Sequence, residues 1–247
     1  MAGHSKWKNI RIRKGKQDAI RGKLFTKMAR EIIVAAKSGA DPDTNLRLRV
    51  AIEKAKENSL PRENIERAIA KGSGNVEGEN YEEIVYEGTG PGGVAFMVEV
   101  FSENRNRTVS ELRHAFSKNG GSLAENGAVA WKFKYCGQIY VPKDSIDEDT
   151  LTLTALDAGA EDVKTDDEEN YIIETTVANL HKTSEALKQE GIKVTEAELT
   201  RLPTDLANPK DEDIPKLIKL LDAIDDLDDV KETYVNFEFS DDMYDED

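Results

Sequence analysis

Residues 81–101, YEEIVYEGTGPGGVAFMVEVF, place a glycine-rich turn between two apolar segments. The glycines of GTGPGG (88–93) have the G-x-G-x-x-G spacing of a dinucleotide-binding loop. That loop works only where it leads into a helix whose N-terminal N–H groups meet the pyrophosphate. Here the strand-like VAFMVEV follows, and the Gly-Lys-Ser/Thr ending of a P-loop is missing. The stretch therefore predicts a β-hairpin with a Gly/Pro turn and indicates no cofactor.

Downstream of this hairpin the sequence predicts alternating helices and strands. The capping-box pattern Thr108-Val-Ser-Glu111 predicts the start of a helix, and AVAWKFKY (128–135) predicts a strand. From residue 138 to 199 the order is strand, helix, acidic turn, strand, helix, strand. An amphipathic helix from Ile214 and a strand over TYVNFEF (233–239) complete the pattern. This mixture predicts a multi-domain α+β fold.

Upstream of the hairpin the sequence predicts a helical module. Apolar residues recur at helical spacing over 23–38 and 44–55, and PRENIERAIAKG (61–72) predicts a third helix with Pro61 near its first turn. GSGNVEGEN (72–80) is typical of a linker. We therefore expect an N-terminal three-helix domain before the mixed part.

The charge of the chain is distributed unevenly. The formal net charge is −15, yet residues 1–75 hold 18 Lys or Arg against 8 Asp or Glu, and the remainder holds 16 against 41. An asymmetry of this size indicates the class of partner rather than the fold. The basic part is expected to bind a polyanion. The acidic part is expected to be repelled by one, or to face a basic protein.

Composition excludes several classes of protein. No apolar run approaches 18 residues, so no membrane span is expected. The basic N-terminus lacks the apolar stretch of a secretory signal, and a transit peptide is the weaker alternative. The single cysteine, Cys136, cannot form an internal disulfide and supports no cysteine-based zinc site. A cytoplasmic protein is the simplest expectation.

The candidate binding residues lie mainly in the first 23 residues, here called the basic arm, which hold eight Lys or Arg against one acid. Lys and Arg neutralise phosphates and release counterions, and a tryptophan ring stacks on an exposed base. Two guanidinium groups near a predicted helix start, in SENRNRT (102–108), offer a second phosphate seat. The nucleic-acid-binding candidates are Lys6, Trp7, Lys8, Arg11, Arg13, Lys14, Lys16, Arg21, Lys23, Lys27, Arg47, Arg49, Arg105 and Arg107.

Other interpretations of these residues stay open from the sequence. The basic arm also fits a solubilising tail, or a segment that folds back onto the acidic body. Trp7 also fits a residue packed on the helical module. Arg105 and Arg107 could equally form ion pairs with nearby acidic residues and bind no phosphate.

Nothing in the sequence indicates an enzyme. His4, His114 and His181 are spread over three predicted elements, and no nucleophile motif accompanies them. The acidic clusters DDEEN (166–170) and DDLDD (225–229) lack the glycine and the terminal glutamate of a calcium loop, so solvated turns are the expectation. We predict no catalytic residue, no metal, no cofactor and no small-molecule substrate.

Six segments together resemble the YebC/PmpR family, which includes the mitochondrial translational activator of cytochrome c oxidase subunit I. They are MAGHSKW (1–7), RGKLFTK (21–27), LPRENIERAI (60–69), YEGTGPGGVA (86–95), ENRNRTVSELRHAFSKNGG (103–121) and ALDAGAEDV (155–163). Two positions depart from the family pattern. Ile12 stands where relatives often have histidine, and Leu46 replaces a frequent proline.

The resemblance implies a basic three-helix domain followed by two α/β sandwich domains, one inserted in the other. Mapped onto this sequence, the domains are 1–76, the discontinuous 77–134 and 203–240, and the inserted 135–202, followed by an acidic tail, 241–247. The family carries two functional descriptions, a DNA-binding transcriptional regulator and a ribosome-associated translation factor. Neither implies an enzyme or a cofactor.

Between these two functions the residues favour RNA. The helical module shows no clear helix-turn-helix signal with polar base readers. A basic arm that contains a tryptophan suits irregular or single-stranded RNA, and an acidic body suits basic ribosomal proteins. The expected partners are therefore nucleic acid, either ribosomal RNA or DNA, together with ribosomal proteins, and no membrane.

Overall fold

The computed structural model describes residues 17–74, 80–239 and 243, with side chains from residue 22 onward. These residues form seven α-helices and two four-stranded antiparallel sheets, so the predicted α+β fold class is confirmed. The helices are α1 (Gln17–Ala36), α2 (Leu46–Glu57), α3 (Arg62–Gly72), α4 (Arg105–Lys118), α5 (Glu148–Asp157), α6 (Leu180–Gln189) and α7 (Ile214–Asp225). The strands are β1 (Glu82–Thr89), β2 (Ala95–Ser102), β3 (Ser122–Ala124), β4 (Phe133–Pro142), β5 (Asp162–Lys164), β6 (Asn170–Thr175), β7 (Glu196–Pro203) and β8 (Val230–Val235).

The three N-terminal helices pack together because each presents a short apolar stripe. Ile32 and Leu48 are fully buried in their shared core, which also takes in Phe101 from the first sheet. Asn45 fixes the α1–α2 turn: its Oδ1 accepts from the Leu48 N–H at 3.1 Å, and its Nδ2 donates to the Ala35 carbonyl at 2.8 Å. With Asn45 as N-cap, α2 begins at residue 46, so a proline is not needed there to start the helix.

The first sheet has the strand order β3-β1-β2-β8 and is built around the predicted hairpin. Its turn is a short 3₁₀ segment, Pro91–Gly93, in which Gly92 and Gly93 have φ of 67° and 76°. These are left-handed conformations that glycine adopts without steric cost. A strand follows the glycines, as predicted. Every residue of β2 is buried, because α4 and α7 cover one face of it and the helical core reaches Phe101 on the other.

The second sheet has the strand order β5-β6-β4-β7 and lies between β3 and β8 in the chain. Ile139 and Ile173 from adjacent strands are fully buried against Leu151 of α5 and Leu187 of α6. The short strand β5, which the sequence does not predict, extends this sheet beyond β6 through Val163.

Several predicted boundaries differ from the structure, three of them in or beside the sheets. Helix α4 begins at Arg105, since the Asn104 side chain accepts from the Arg107 N–H, so the capping box at Thr108 is wrong. AVAWKFKY is not a strand throughout: residues 130–132 form a 3₁₀ turn, and β4 runs unbroken from Phe133 to Pro142. The final strand begins at Val230 and ends at Val235, rather than spanning 233–239.

The sheet pairings support the expected division of the chain, which we keep as a proposal. β8 pairs with β2, so the chain returns to the first sheet after building the second. The predicted boundaries between residues 134 and 135 and between residues 202 and 203 lie inside β4 and β7, so we move them to residue 133, where β4 begins, and to residue 203, where β7 ends. The acidic tail, 241–247, lies outside the described residues except for Met243, which packs on the first sheet's core.

Helix α3 approaches α1 closely at Gly72, which yields a stability prediction. A Cβ at residue 72 would lie 2.2 Å from the Ile33 carbonyl oxygen and 2.7 Å from the Ala36 Cβ. Gly72→Ala therefore forces the two helices apart and should lower the free energy of unfolding by about 1–3 kcal/mol in urea denaturation. The matched control is Gly22→Ala, where nothing lies within 4 Å. That change should be neutral or stabilising by up to about 1 kcal/mol. Equal effects at the two positions would contradict this packing.

The buried carboxylate of Glu87 holds the connection between the two sheets. It accepts from the backbone N–H groups of Gly127 at 2.6 Å, Val129 at 2.7 Å and Ala130 at 2.9 Å. Burial alone would raise the pKa of Glu87, but these three donors outweigh burial and lower the pKa below its ordinary value.

A pH dependence follows from this lowered pKa. A carboxyl group whose pKa is lowered by folding stabilises the folded state at pH values above its unfolded pKa, near 4.3. That stability is lost as the pH falls through the folded pKa. Glu87→Gln should therefore cost about 2 kcal/mol in the free energy of unfolding at pH 7. The difference from the wild type should shrink as pH is lowered below about 4. Glu125→Gln, at an exposed position, is the control and should show no such trend. A difference that is constant with pH would refute the role of the ionised carboxylate.

Candidate nucleic-acid interface

The structure describes part of the predicted binding set. Six of the basic-arm candidates and Trp7 lie outside the described residues, and Arg21 lies on α1 with its side chain outside them. The six are Lys6, Lys8, Arg11, Arg13, Lys14 and Lys16. Their contacts stay predictions.

Three cations of α1 contact one acidic segment, residues 225–229, here called the acidic loop. They are Lys23, Lys27 and Arg30. Lys23 Nζ donates to Asp226 Oδ1 at 3.1 Å and to the Asp226 carbonyl at 3.1 Å. Lys27 Nζ donates to the Asp225 carbonyl at 3.3 Å. The loop follows the C-terminus of α7, whose last carbonyls have no partner within the helix and carry partial negative charge. The cations of α1 therefore bind the negative end of α7 as well as the aspartates beyond it.

At the inner end of this contact Asp229 forms a buried clasp. Arg30 donates to Asp229 Oδ1 at 3.2 Å and also to the Asp228 carbonyl, and Arg107 donates to both Asp229 oxygens at 3.1 and 3.0 Å. Thr108 Oγ1 donates to Asp229 Oδ2 at 2.6 Å. The Asp229 side chain is 2% exposed, against 13% for Arg30 and 41% for Arg107. The clasp joins α1, α4 and the segment before β8, and its bonds to Asp229 raise the pKa of Arg107.

The remaining described candidates also have partners within the chain. Arg47 pairs with Glu83 at 2.7 Å, and Arg105 pairs with Glu82 at 2.6 Å. Arg49 donates to the carbonyls of residues 42 and 43 at 3.0 and 2.7 Å. Arg105 and Arg107 lie in the first turn of α4, so their predicted place before the helix start is wrong. Pairing with neighbouring acids, the alternative left open by the sequence, describes both of them.

A second ion network links the helical part to both sheets. Buried Glu99 of β2 accepts from Arg201 of β7 at 3.0 Å and from Lys231 of β8 at 3.2 Å. Lys231 also reaches Glu83 at 3.5 Å, the partner of Arg47. Burial opposes the charged form of Lys231, yet these carboxylates raise its pKa above the ordinary value. Sequence reasoning missed this network, because its members are far apart in the chain and belong to no local motif.

The side chains considered for catalysis or metal binding do not form a site within the described residues. His114 and His181 are both exposed on separate helices, and His4 lies outside these residues. Burial raises the pKa of the Cys136 thiol to about 11, which keeps it protonated at neutral pH. In the stretches 17–74 and 80–239 no His, Cys, Asp or Glu cluster has the arrangement of a metal site. Among the same residues no helix is both long and apolar enough to cross a membrane.

Family profiles cover almost the whole sequence. Residues 5–75 match the profile described as the TACO1/YebC protein N-terminal domain, and residues 81–237 match the TACO1/YebC second and third domain. The chain belongs to the TACO1/YebC family. These matches confirm the predicted family. The boundary between the two profiles falls where the helical part ends and the first sheet begins.

Members of the TACO1/YebC family with closely similar sequences carry regulatory names. A protein of Persephonella marina is 56% identical over 97% of both chains, and one of Sulfurihydrogenibium is 52% identical over 96% of both. Both are named probable transcriptional regulatory proteins. A crystal structure of a conserved hypothetical protein from Aquifex aeolicus has a TM-score of 0.81 and 47% identity, covering 91% of this chain and 93% of that one.

Removal of the clasp carboxylate should destabilise the protein. Asp229→Asn leaves Arg30 without its ionic partner in a buried position, and breaking a buried pair costs about 3–5 kcal/mol. Because Arg107 is 41% exposed and regains water, we expect the lower end, about 3 kcal/mol, in urea unfolding. Glu103→Gln is the control, since it removes the other, exposed partner of Arg107 at 3.3 Å and should cost under about 1 kcal/mol. A loss for Asp229→Asn no larger than that of the control would show that the clasp does not support the fold.

Proposed function

We propose that this TACO1/YebC protein is a non-enzymatic, nucleic-acid-binding regulator of gene expression in the cytoplasm. It acts as a translation factor that docks on ribosomal RNA through its basic N-terminal domain. The observation that carries the proposal is the concentration of positive charge in residues 1–75, against a strongly acidic remainder. A polyanion binds the first part and is repelled by the second. The acidic remainder then faces basic ribosomal proteins.

Several of the described candidate residues are already paired within the chain, so we assign the proposed affinity to a smaller set of residues. Lys23, Arg47, Arg105 and Arg107 bind carboxylates of the same chain. Cations already paired gain less from a phosphate, because the internal partner must be displaced first. The docking charge is therefore assigned mainly to the six Lys and Arg between residues 6 and 16, beside Trp7 as a stacking residue.

The exposed surface of α3 is mixed in charge, unlike that of a major-groove recognition helix. In a helix-turn-helix protein the second helix of the pair presents polar and basic side chains to base edges and phosphates. Here α3, which follows α2 after a short turn, exposes two arginines and two glutamates, Arg62, Glu63, Glu66 and Arg67. Its Arg62 binds Glu66 at 2.7 Å. This mixed surface does not favour a major-groove reader of duplex DNA, and the preference for RNA rests on the basic arm, whose tryptophan suits unpaired bases.

A DNA-binding transcriptional regulator is the second candidate function. It is favoured by the names of the similar proteins from Persephonella marina and Sulfurihydrogenibium. Co-sedimentation separates the two. A translation factor should travel with ribosomes at moderate salt and leave them after ribonuclease treatment, whereas a transcriptional regulator should bind duplex DNA and stay in the ribosome-free fraction.

The salt dependence of binding tests the electrostatic basis of the proposal. If the six cations between Lys6 and Lys16 each neutralise one phosphate, log affinity should fall against log salt with a slope of about −4 on single-stranded RNA. Changing Arg11, Arg13 and Lys14 together to alanine should flatten this slope by about 2. Fluorescence anisotropy with a labelled RNA across a salt series measures both values.

The control removes the same charge from the acidic part of the protein. Lys182, Lys193 and Lys219 are exposed on the second sheet's side and on α7, and their triple alanine variant should leave the slope unchanged. A slope near zero for the intact protein, or equal flattening by both triple variants, would sink the basic-arm proposal.

A further inference from the structure

Lys23, Lys27 and Arg30 are spaced i, i+4 and i+7 along α1 and lie on one face of it. The span from residue 23 to residue 30 is about 10 Å at 1.5 Å per residue. Opposite them the acidic loop presents the carboxylates of Asp226 and Asp229, together with the backbone carbonyls of residues 225, 226 and 228. The two carboxylates stand where the phosphates of a nucleic-acid backbone would neutralise the same row of cations.

The two ends of this contact differ in burial. At the inner end Arg30 and Asp229 are 13% and 2% exposed, and Arg107 and Thr108 hold the same carboxylate. At the outer end Lys23 and Asp226 are 45% and 57% exposed, and Lys23 Nζ binds the Asp226 carboxylate and its backbone carbonyl. An exposed pair is screened by solvent and exchanges partners readily, whereas the buried clasp does not.

We propose that the α1 face of Lys23 and Lys27 is a phosphodiester-binding surface that the acidic loop occupies in the free protein. The proposal rests on the proposed nucleic-acid binding and names an internal competitor for it. A phosphate of bound RNA replaces Asp226 at the Lys23 ammonium and then reaches Lys27, while the Arg30–Asp229 clasp stays closed. Bound RNA therefore extends from the basic arm along α1 only after the outer ion pair has opened.

This competition makes the affinity depend on one particular aspartate. Asp226→Asn removes the competing charge and retains the size of the side chain, so Lys23 keeps only neutral acceptors, such as the carbonyl of residue 226, and a further phosphate replaces them more readily. The dissociation constant for a labelled single-stranded RNA should fall about threefold or more, and the salt slope should steepen by about 0.7. Because the pair is exposed, the melting temperature should change little. Anisotropy titrations over a salt series and thermal denaturation give these values.

Two further variants separate competition from a general change in net charge. Asp157→Asn removes one exposed negative charge at the end of α5 and should leave the affinity and slope close to wild type. Lys23→Ala placed in the Asp226→Asn background should abolish the gain, because the freed cation is then missing. A gain that survives Lys23→Ala would overturn the competition.

The outcomes also distinguish this inference from the proposed function. If the wild type binds RNA with a steep salt slope but Asp226→Asn behaves like Asp157→Asn, the Lys23–Asp226 pair serves only to cap α7 and the inference is wrong. If the wild type shows no salt-dependent binding at all, the proposed function fails and the inference fails with it.

Discussion

The buried carboxylate of Asp229 is the contact on which the arrangement of the molecule depends. It accepts from Arg30, Arg107 and Thr108, which belong to α1 and α4 and lie far from it in sequence. A buried carboxylate without partners would carry a large desolvation cost, so its donors must be in place together. This requirement fixes the helical part against the first sheet and brings α1 to the C-terminus of α7. The contacts of Lys23 and Lys27 follow from that placement.

The ion network around Glu99 acts in the same way at a second contact between the helical part and the sheets. Arg47 comes from the helical part, Lys231 from β8 and Arg201 from the second sheet, so alternating charges connect all three. Such contacts are specific in orientation because each guanidinium and ammonium needs an acceptor in a defined direction. The net charge of −25 outside residues 1–75 is therefore not uniformly solvated: several of its acids hold the helical part in place.

Sequence patterns predicted those features that depend on neighbours in the chain. The hairpin at 88–93 was predictable because glycine and proline have local backbone preferences, and the helices were predictable from apolar spacing. The start of α4 was not, because Asn104 and Thr108 are both plausible caps and the choice is made by a tertiary contact: the Thr108 hydroxyl binds Asp229. The same holds for Arg105 and Arg107, whose carboxylate partners Glu82 and Asp229 are brought near only by the fold. The basic arm was predictable as a concentration of charge. The family profiles confirm the family of the chain, but they do not test the contacts of the basic arm.

Screening decides which of the acids can oppose the basic arm. At physiological ionic strength the Debye length is about 8 Å, so exposed carboxylates farther away than this hardly affect a phosphate at α1. The net charge of the chain is thus a poor guide to its affinity for a polyanion. The acids in direct contact with the binding cations are a better guide. The acidic loop lies at contact distance from Lys23 and Lys27, whereas acids such as those of α5 belong to the second sheet's layer. An acidic protein can therefore dock on a polyanion through one end, provided that the few acids touching that end are displaced or are held by the clasp.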